Sequence, residues 1–184
     1  MKKLVPIMAG VLVVLAVILL YTLSFPVKAD NSNLEDQARR FLSRGQTVAL
    51  KEPIEIYDAL SIGNQKFVLV EIGDELGEIT LVRGLAGGYK IQSAGYGMGN
   101  FWEKVVEIGG QKYFLIGGRN SWLTLGSIEV KFSGLEYTVA IPEKERFFVY
   151  TEIDQNTEDT HADQDAMRFY NRGGEDFTEQ IQWY

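Results

Sequence analysis

The sequence predicts a mainly β protein: an antiparallel β sandwich or curled meander with one short N-terminal helix, preceded by a single transmembrane helix. An uncharged run from Leu4 to Phe25 opens the chain, and its length is typical of a membrane span. Helical spacing of apolar residues follows at residues 33–44. Beyond residue 53, apolar and polar residues alternate and glycine-bearing turns recur at short intervals, which is typical of antiparallel strands.

The opening run has 22 residues and follows Lys2 and Lys3. As a helix it would be about 33 Å long, against roughly 30 Å for a hydrocarbon core. Lysines before such a segment favour a cytoplasmic N-terminus. We therefore expect a single-pass protein of the cell membrane, with residues 4–25 in contact with the lipid and the following domain outside the cytoplasm.

Two fates of the N-terminal segment stay open. Small or modest side chains at Val27 and Ala29 permit cleavage after Ala29 by a signal peptidase, which would release a secreted domain. The length of the apolar run favours a retained anchor instead. Either fate divides the chain into an N-terminal membrane anchor or signal segment, residues 1–29, and a single extracytoplasmic, mostly β domain, residues 30–184.

Charge and cysteine content exclude several functions. The chain holds 18 basic and 25 acidic residues, and setting aside Lys2, Lys3, Lys28 and Asp30 leaves 15 and 24, a net charge of about −9. Nucleic acid is a poor partner for such a surface, whereas a cationic or neutral partner fits. The chain has no cysteine, which excludes disulfides, thiolate metal sites and cysteine nucleophiles.

The first element of the domain is predicted to be a helix. Ser32 and Glu35 have the spacing of a capping box, which favours a helix start at Asn33. Apolar residues then recur on one face up to Arg44, and Gly45 is a natural stop.

Nine to eleven strands are predicted after this helix, nine of them with definite bounds, and two hairpins are clear. Gly109 and Gly110 separate two apolar runs and suit a two-residue turn, and Ser133 and Gly134 open a second turn. The strands are Ile54 to Leu60, Lys66 to Ile72, Glu78 to Arg83, Tyr89 to Ser93, Phe101 to Ile108, Gln111 to Gly117, Ser127 to Phe132, Glu136 to Ile141 and Arg146 to Glu152.

The last 75 residues carry a resemblance. The stretch KYFLIGGRNSWLTLGSIEVKFSGLEYTVAIPEKERFFVYTEID, with RFYNRGGEDFTE near the end, resembles a group of uncharacterised membrane-anchored outer domains of Gram-positive bacteria. The resemblance implies a small sandwich of the cell envelope and no enzymatic activity. Asn171 and Arg172 depart from the group, which more usually has an acidic residue there.

Loop aromatics provide the candidate binding residues. The segments AGYGMGNFW and GGRNSW place aromatic and amide side chains on predicted loops, where binding energy is often concentrated. Core packing of the same side chains is the alternative. The candidates are Tyr96, Phe101, Trp102, Asn120 and Trp122.

The acidic segment 151–166 has partial calcium-loop spacing. Oxygen-bearing side chains stand at positions 1, 3, 5 and 12 of that register, and its sixth position is Asp159 instead of glycine. A solvated loop is the alternative, as it is for His161 in the same segment. The weak calcium candidates are Asp154, Asn156, Glu158 and Asp165.

No catalytic or cofactor motif emerges, so the sequence predicts no enzyme and no cofactor. The expected function is a membrane-tethered extracytoplasmic module that binds a protein or envelope component. Two alternatives stay open: a cell-wall hydrolase that uses a carboxylate pair, and a structural assembly subunit of the envelope.

Overall fold

A computed structural model describes residues 4–45 and 50–181. It contains two α-helices, α1 (Leu4–Leu23) and α2 (Leu34–Leu42), and short 3₁₀ turns at Gln164–Ala166 and Thr178–Gln180. The strands in these ranges are β1 (Ile54–Ile62), β2 (Gln65–Ile72), β3 (Glu75–Arg83), β4 (Tyr89–Met98), β5 (Phe101–Ile108), β6 (Gln111–Arg119), β7 (Leu125–Phe132), β8 (Leu135–Ala140), β9 (Arg146–Ile153) and β10 (Arg168–Asn171).

The strands form three antiparallel sheets. Sheet A is the meander β1-β2-β3-β4, sheet B has the order β5-β6-β9, and sheet C has the order β10-β7-β8. Each of the nine predicted strands overlaps one of β1 to β9 in sequence order. The prediction of a mainly β, antiparallel fold is therefore confirmed.

The central strands of sheet A, β2 and β3, are buried on both faces, and their side chains alternate between two cores. On β2, Val68 and Val70 pack in one cluster with Leu34 and Ala38 of α2. Phe67 and Leu69 point to the opposite face of the sheet and pack against sheet B. A strand covered on both faces reads as a continuous apolar run rather than an alternation, which is why FVLV has no polar interruption.

Sheet B is also covered on both faces. Leu115 of β6 packs toward sheet A, whereas Phe114 and Ile116 pack with Ile128 and Val130 of sheet C. The molecule is thus layered as α2, sheet A, sheet B and sheet C. Sheet C forms the outer layer.

Both predicted hairpins are present, and their turn residues explain them. Gly109 and Gly110 have φ of 63° and 85°, and Ser133 and Gly134 have φ of 50° and 81°. Two successive positive φ values give the turn whose twist matches the flanking strands.

The structure contradicts the prediction of a transmembrane helix. Within residues 4–45 and 50–181, no helix is long and apolar enough to cross a membrane. The helix α1 ends at Leu23, two residues before the uncharged run does. The N–H groups of Ser24 and Phe25 donate to carbonyl oxygens within the last turn of α1. Lys2 and Lys3, used to predict its orientation, lie outside the described residues.

A connector, residues 25–31, joins α1 to the domain and is built into sheet A. Val27 is 1% exposed, and it exchanges backbone hydrogen bonds of 2.9 and 2.8 Å with Tyr89 of β4. The ammonium of Lys66 donates to the Ala29 carbonyl at 2.9 Å and to Asn31 Oδ1 at 3.0 Å. Burial lowers the pKa of Lys66. These contacts hold the connector against the edge of β4.

The start of α2 differs from the predicted capping box. The N-cap is Asn33, and its side chain makes no capping hydrogen bond. Instead its amide donates to the Pro26 carbonyl and its oxygen accepts from the Lys28 N–H, each at 2.9 Å. The connector therefore uses the polar side chain that would otherwise cap the helix.

Candidate binding cleft

The loop between β6 and β7 presents one large aromatic side chain to solvent. Trp122 is 87% exposed, whereas Asn120 is 5% exposed. The Asn120 side chain accepts a hydrogen bond from the Leu125 N–H at 3.1 Å and donates to its carbonyl at 3.3 Å. These two hydrogen bonds close the loop that carries Trp122. Leu123, the residue after Trp122, adopts a φ of 56°.

The turn after β10 supports the same loop from the other side. Arg172 donates from Nε to the Leu123 carbonyl at 2.8 Å and from its backbone N–H to the Thr124 carbonyl at 3.0 Å. Gly126 allows this approach, since a Cβ there would lie 2.9 Å from the Arg172 Cα. Trp122 is thus held by a loop that is fixed at several points.

A cleft of about 690 Å³ lies between the β6–β7 loop and the C-terminal turns. Its apolar side chains include Phe101, Trp122, Phe177 and Ile181. Its polar residues include Asn100, Arg119, Asn171 and Gln180. A volume of this size suits a small ligand or a single projecting group of a larger partner.

An ionic cluster between sheets A and B orients Arg119 at the base of the cleft. Its guanidinium pairs with Glu71 of β2, and Arg146 of β9 approaches the same carboxylate at 3.2 Å. Burial alone would raise the pKa of Glu71, but hydrogen bonds from Tyr57 and Arg119 and the two guanidinium charges hold it below its usual value. The carboxylate therefore stays ionised at neutral pH and keeps both arginines in place.

Charges of both signs are found at the cleft, although the chain as a whole is acidic. Glu175 and Asp176 line it together with Arg119, and Arg172 is bound to the Trp122 loop. Hydrogen bonds from the Thr178 side chain and backbone lower the pKa of Asp176. Charged groups of both signs therefore line or border the cleft.

The structure brings together part of the predicted binding set. Phe101 and Trp122 line the cleft, and Asn120 supports the loop beneath it. Trp102 packs edge-on to Phe148 between sheets A and B. Tyr96 is 37% exposed on β4, and it pairs with Gly77 of β3. Neither of these two lines the cleft.

The sequence did not predict the C-terminal wall of the cleft. Asn171, Glu175 and Phe177 follow Trp122 by about 50 residues, and they reach it because β10 pairs with β7. A signal was present in RGGEDFTE, whose glycines and acids predict a turn. Nothing in the sequence alone placed that turn beside GGRNSW.

The acidic segment is exposed along most of its length and is held to the domain at a few points. Glu103 of β5 accepts from the Ala162 N–H at 3.0 Å and lies 3.0 Å from Nδ1 of His161. The Asp154 carboxylate accepts from the Asn156 backbone at 2.7 Å and from its side chain at 2.9 Å. In the part of the chain that the structure describes, no group of three His, Cys, Asp or Glu could hold a metal ion.

Comparison of the chain with models of protein families, with curated proteins and with solved structures found no match.

Proposed function

We propose that the domain is a non-enzymatic binding module whose Trp122 cleft holds a neutral polar group of a protein or envelope component. The observation that carries the proposal is a tryptophan 87% exposed at the mouth of a cleft of about 690 Å³. Tryptophan is the residue type most often found to dominate binding energy. Keeping its indole in water is unfavourable for the free protein.

The support of the Trp122 loop also favours binding. Asn120 and Arg172 hold the loop from two sides through their hydrogen bonds to its backbone. A binding residue that is already held in place loses less conformational entropy when a ligand arrives. The fixed loop is therefore suited to recognition rather than to solvent exposure alone.

The mixed charges at the cleft favour a neutral partner over a cationic one, the two classes that the composition allowed. A strongly cationic ligand would meet Arg119 as well as the two carboxylates. The exposed amide of Gln180 can exchange hydrogen bonds with hydroxyl or amide groups. The indole face then packs against the apolar side of the same group.

The hydrolase alternative gains less support from the electrostatics. A glycosidase general acid needs a raised pKa, whereas the pKa of Asp176 in the cleft is lowered. Burial raises the pKa of the Glu78 carboxyl, but this group lies beside Lys104 at the contact between sheets A and B and does not line the cleft. The structural alternative, an envelope assembly subunit, stays a prediction, as does a location outside the cytoplasm. Protease added to intact cells would test that location.

Substituting Trp122→Ala tests the proposal. The probes are uncharged oligosaccharides and uncharged peptides, with spermidine and citrate as charged comparisons, measured by calorimetric titration. We expect saturable binding of an uncharged probe and a loss of roughly 30-fold in Trp122→Ala, since removal of a central tryptophan costs about 2 kcal/mol or more.

Leu85→Ala is the matched control, because Leu85 is 95% exposed on the β3–β4 loop and is not part of the cleft. It should bind as the wild type does. Binding of the charged probes alone, or equal losses in both variants, would refute the proposal. Both variants should keep the wild-type unfolding midpoint, because their side chains are exposed.

A further inference from the structure

A second depression lies at the opposite end of the layers, where the connector, α2 and β4 meet. This α2–β4 groove has a volume of about 550 Å³. Its apolar wall includes Leu23, Val27, Phe41 and Ile91. Arg44 and Lys90 are its cationic side chains, and no acidic residue lines it.

The two cations of the groove are available to a ligand. Both side chains are exposed, and among the described residues neither lies within ion-pair distance of a carboxylate. Some other basic residues form ion pairs, as Arg39 does with Glu35 and Lys144 does with Asp58. The guanidinium of Arg44 lies 5.0 Å from the centre of the Phe41 ring, which keeps the charge beside the apolar wall.

Helix ends reduce the positive field of the groove without cancelling it. Both α1 and α2 finish near it, at Leu23 and Leu42. A helix C-terminus carries about half a negative charge. Two such ends against two full cationic charges leave a net charge of about +1. An anionic group is therefore favoured here, whereas the protein as a whole is acidic.

The groove is less suited to a peptide that adds a strand to the edge of β4 than to a small ligand. Tyr89 exchanges its backbone hydrogen bonds with Val27, so the corresponding groups of Ile91 point to the same open edge. The register of β4 shifts immediately after Ile91. Gln92 has no partner on β3 at this shift, so the regular edge of β4 is interrupted directly beyond the connector, which disfavours a paired peptide strand there.

An aliphatic chain fits the remaining surface. Leu23 lines the groove, and with Leu20 it is 66% exposed on α1. An alkyl chain lying from Ile91 and Phe41 toward these leucines would remove apolar area from water. We propose that the α2–β4 groove binds a monomeric anionic amphiphile, with its carboxylate or phosphate head on Arg44 and Lys90 and its alkyl chain on the apolar wall.

Calorimetric titration of the full chain with dodecanoate, below the concentration at which it forms micelles, tests this site. We expect saturation at one ligand per chain. Changing Arg44→Gln and Lys90→Gln together should weaken binding by about tenfold or more, because two charge-assisted contacts are lost. Leu23→Gln should weaken it through the apolar wall, and its exposed position keeps the fold intact.

The control is Lys131→Gln with Lys144→Gln, which removes the same charge from paired surface lysines elsewhere. It should bind dodecanoate as the wild type does. Equal binding of dodecanol would refute the role of the charged head, and equal binding of inorganic phosphate would refute the role of the chain. Binding only to vesicles of phosphatidylcholine with phosphatidylserine, and not to dodecanoate, would assign the groove to a lipid surface and overturn the proposal.

Discussion

At the scale of single residues, two glutamates at the contact between sheets A and B respond to acid in opposite directions. The pKa of Glu71 is lowered by its hydrogen bonds and by the two arginines, so its ionised form stabilises the fold. That stability is fully present above the unfolded pKa of about 4.3 and is lost as pH falls through the lower folded value. Burial raises the pKa of Glu78, so acid relieves a cost of folding there.

We therefore expect Glu71→Gln to lower the free energy of unfolding at pH 7 by about 2 to 4 kcal/mol, because Arg119 and Arg146 lose their shared carboxylate. The deficit should shrink as pH falls below the unfolded pKa and through the lower folded pKa, where the wild type loses the same interaction. Denaturant titrations at several pH values measure this difference.

Glu78→Gln is the control, because its stability relative to the wild type should change with pH in the opposite direction. At pH 7 it should cost less than Glu71→Gln, because it also removes a carboxylate that is costly to bury. Relative to the wild type, its stability should fall as pH is lowered, since only the wild type gains from protonation of Glu78. Parallel pH profiles for the two variants would contradict the assignment.

At the scale of elements, the connector shows where the predicted boundary and the packing diverge. A boundary after Ala29 separates Val27 from the domain, yet Val27 is buried in the core with Leu34 and Ala38. Phe25 packs so closely that a Cβ on Gly84 would lie 2.7 Å from its ring. A cut after Ala29 would therefore detach a segment that the core of sheet A uses.

Two truncations test the role of the connector. Deleting residues 1–22 removes nearly all of α1 and should leave the unfolding midpoint of the domain close to that of the full chain. Deleting residues 1–29 should lower the free energy of unfolding by roughly 2 to 4 kcal/mol, because the burial of Val27 and its two hydrogen bonds to Tyr89 are lost. Thermal unfolding followed by circular dichroism compares them.

Val27→Ala in the full chain is the point control, with an expected loss of about 2 kcal/mol. If both truncations unfold together with the full chain, the connector contributes nothing and its contacts are incidental.

Strands and turns were predictable because their signals are local. Gly109 and Gly110 specify a turn from two adjacent residues, and Glu129 and Lys131 mark the outer face of sheet C by alternation. The cap of α2 was not predictable, because Asn33 binds Pro26 and Lys28 in a connector that no local pattern reveals. Trp122 could be proposed as a binding residue, whereas its partners at Asn171 and Phe177 depend on long-range pairing of β10 with β7.

At the scale of the whole molecule, sheet B links the two β cores. Phe114 and Ile116 belong to the core shared with sheet C, and Leu115 between them belongs to the core shared with sheet A. An unbroken apolar run indicates that a strand is buried on both faces, but it does not identify the elements that cover those faces. Stacking of three sheets therefore had to come from the structure, and it implies that the layers unfold together.

Leu115→Ala tests this coupling. Leu115 is 0% exposed, so its truncation should lower the free energy of unfolding by about 2 to 5 kcal/mol. Ile56→Ala is the control, with a smaller expected loss because Ile56 is 39% exposed on β1. With Trp122 and Trp183 replaced by Phe, the fluorescence of Trp102 reports on the contact between sheets A and B, and far-ultraviolet circular dichroism reports on all three sheets. Coincident transitions are expected in every variant, because sheet B cannot lose one covering layer without exposing core residues of β6.

A fluorescence transition that precedes the dichroism transition would show that sheet A separates first, and the layers would then be independent units.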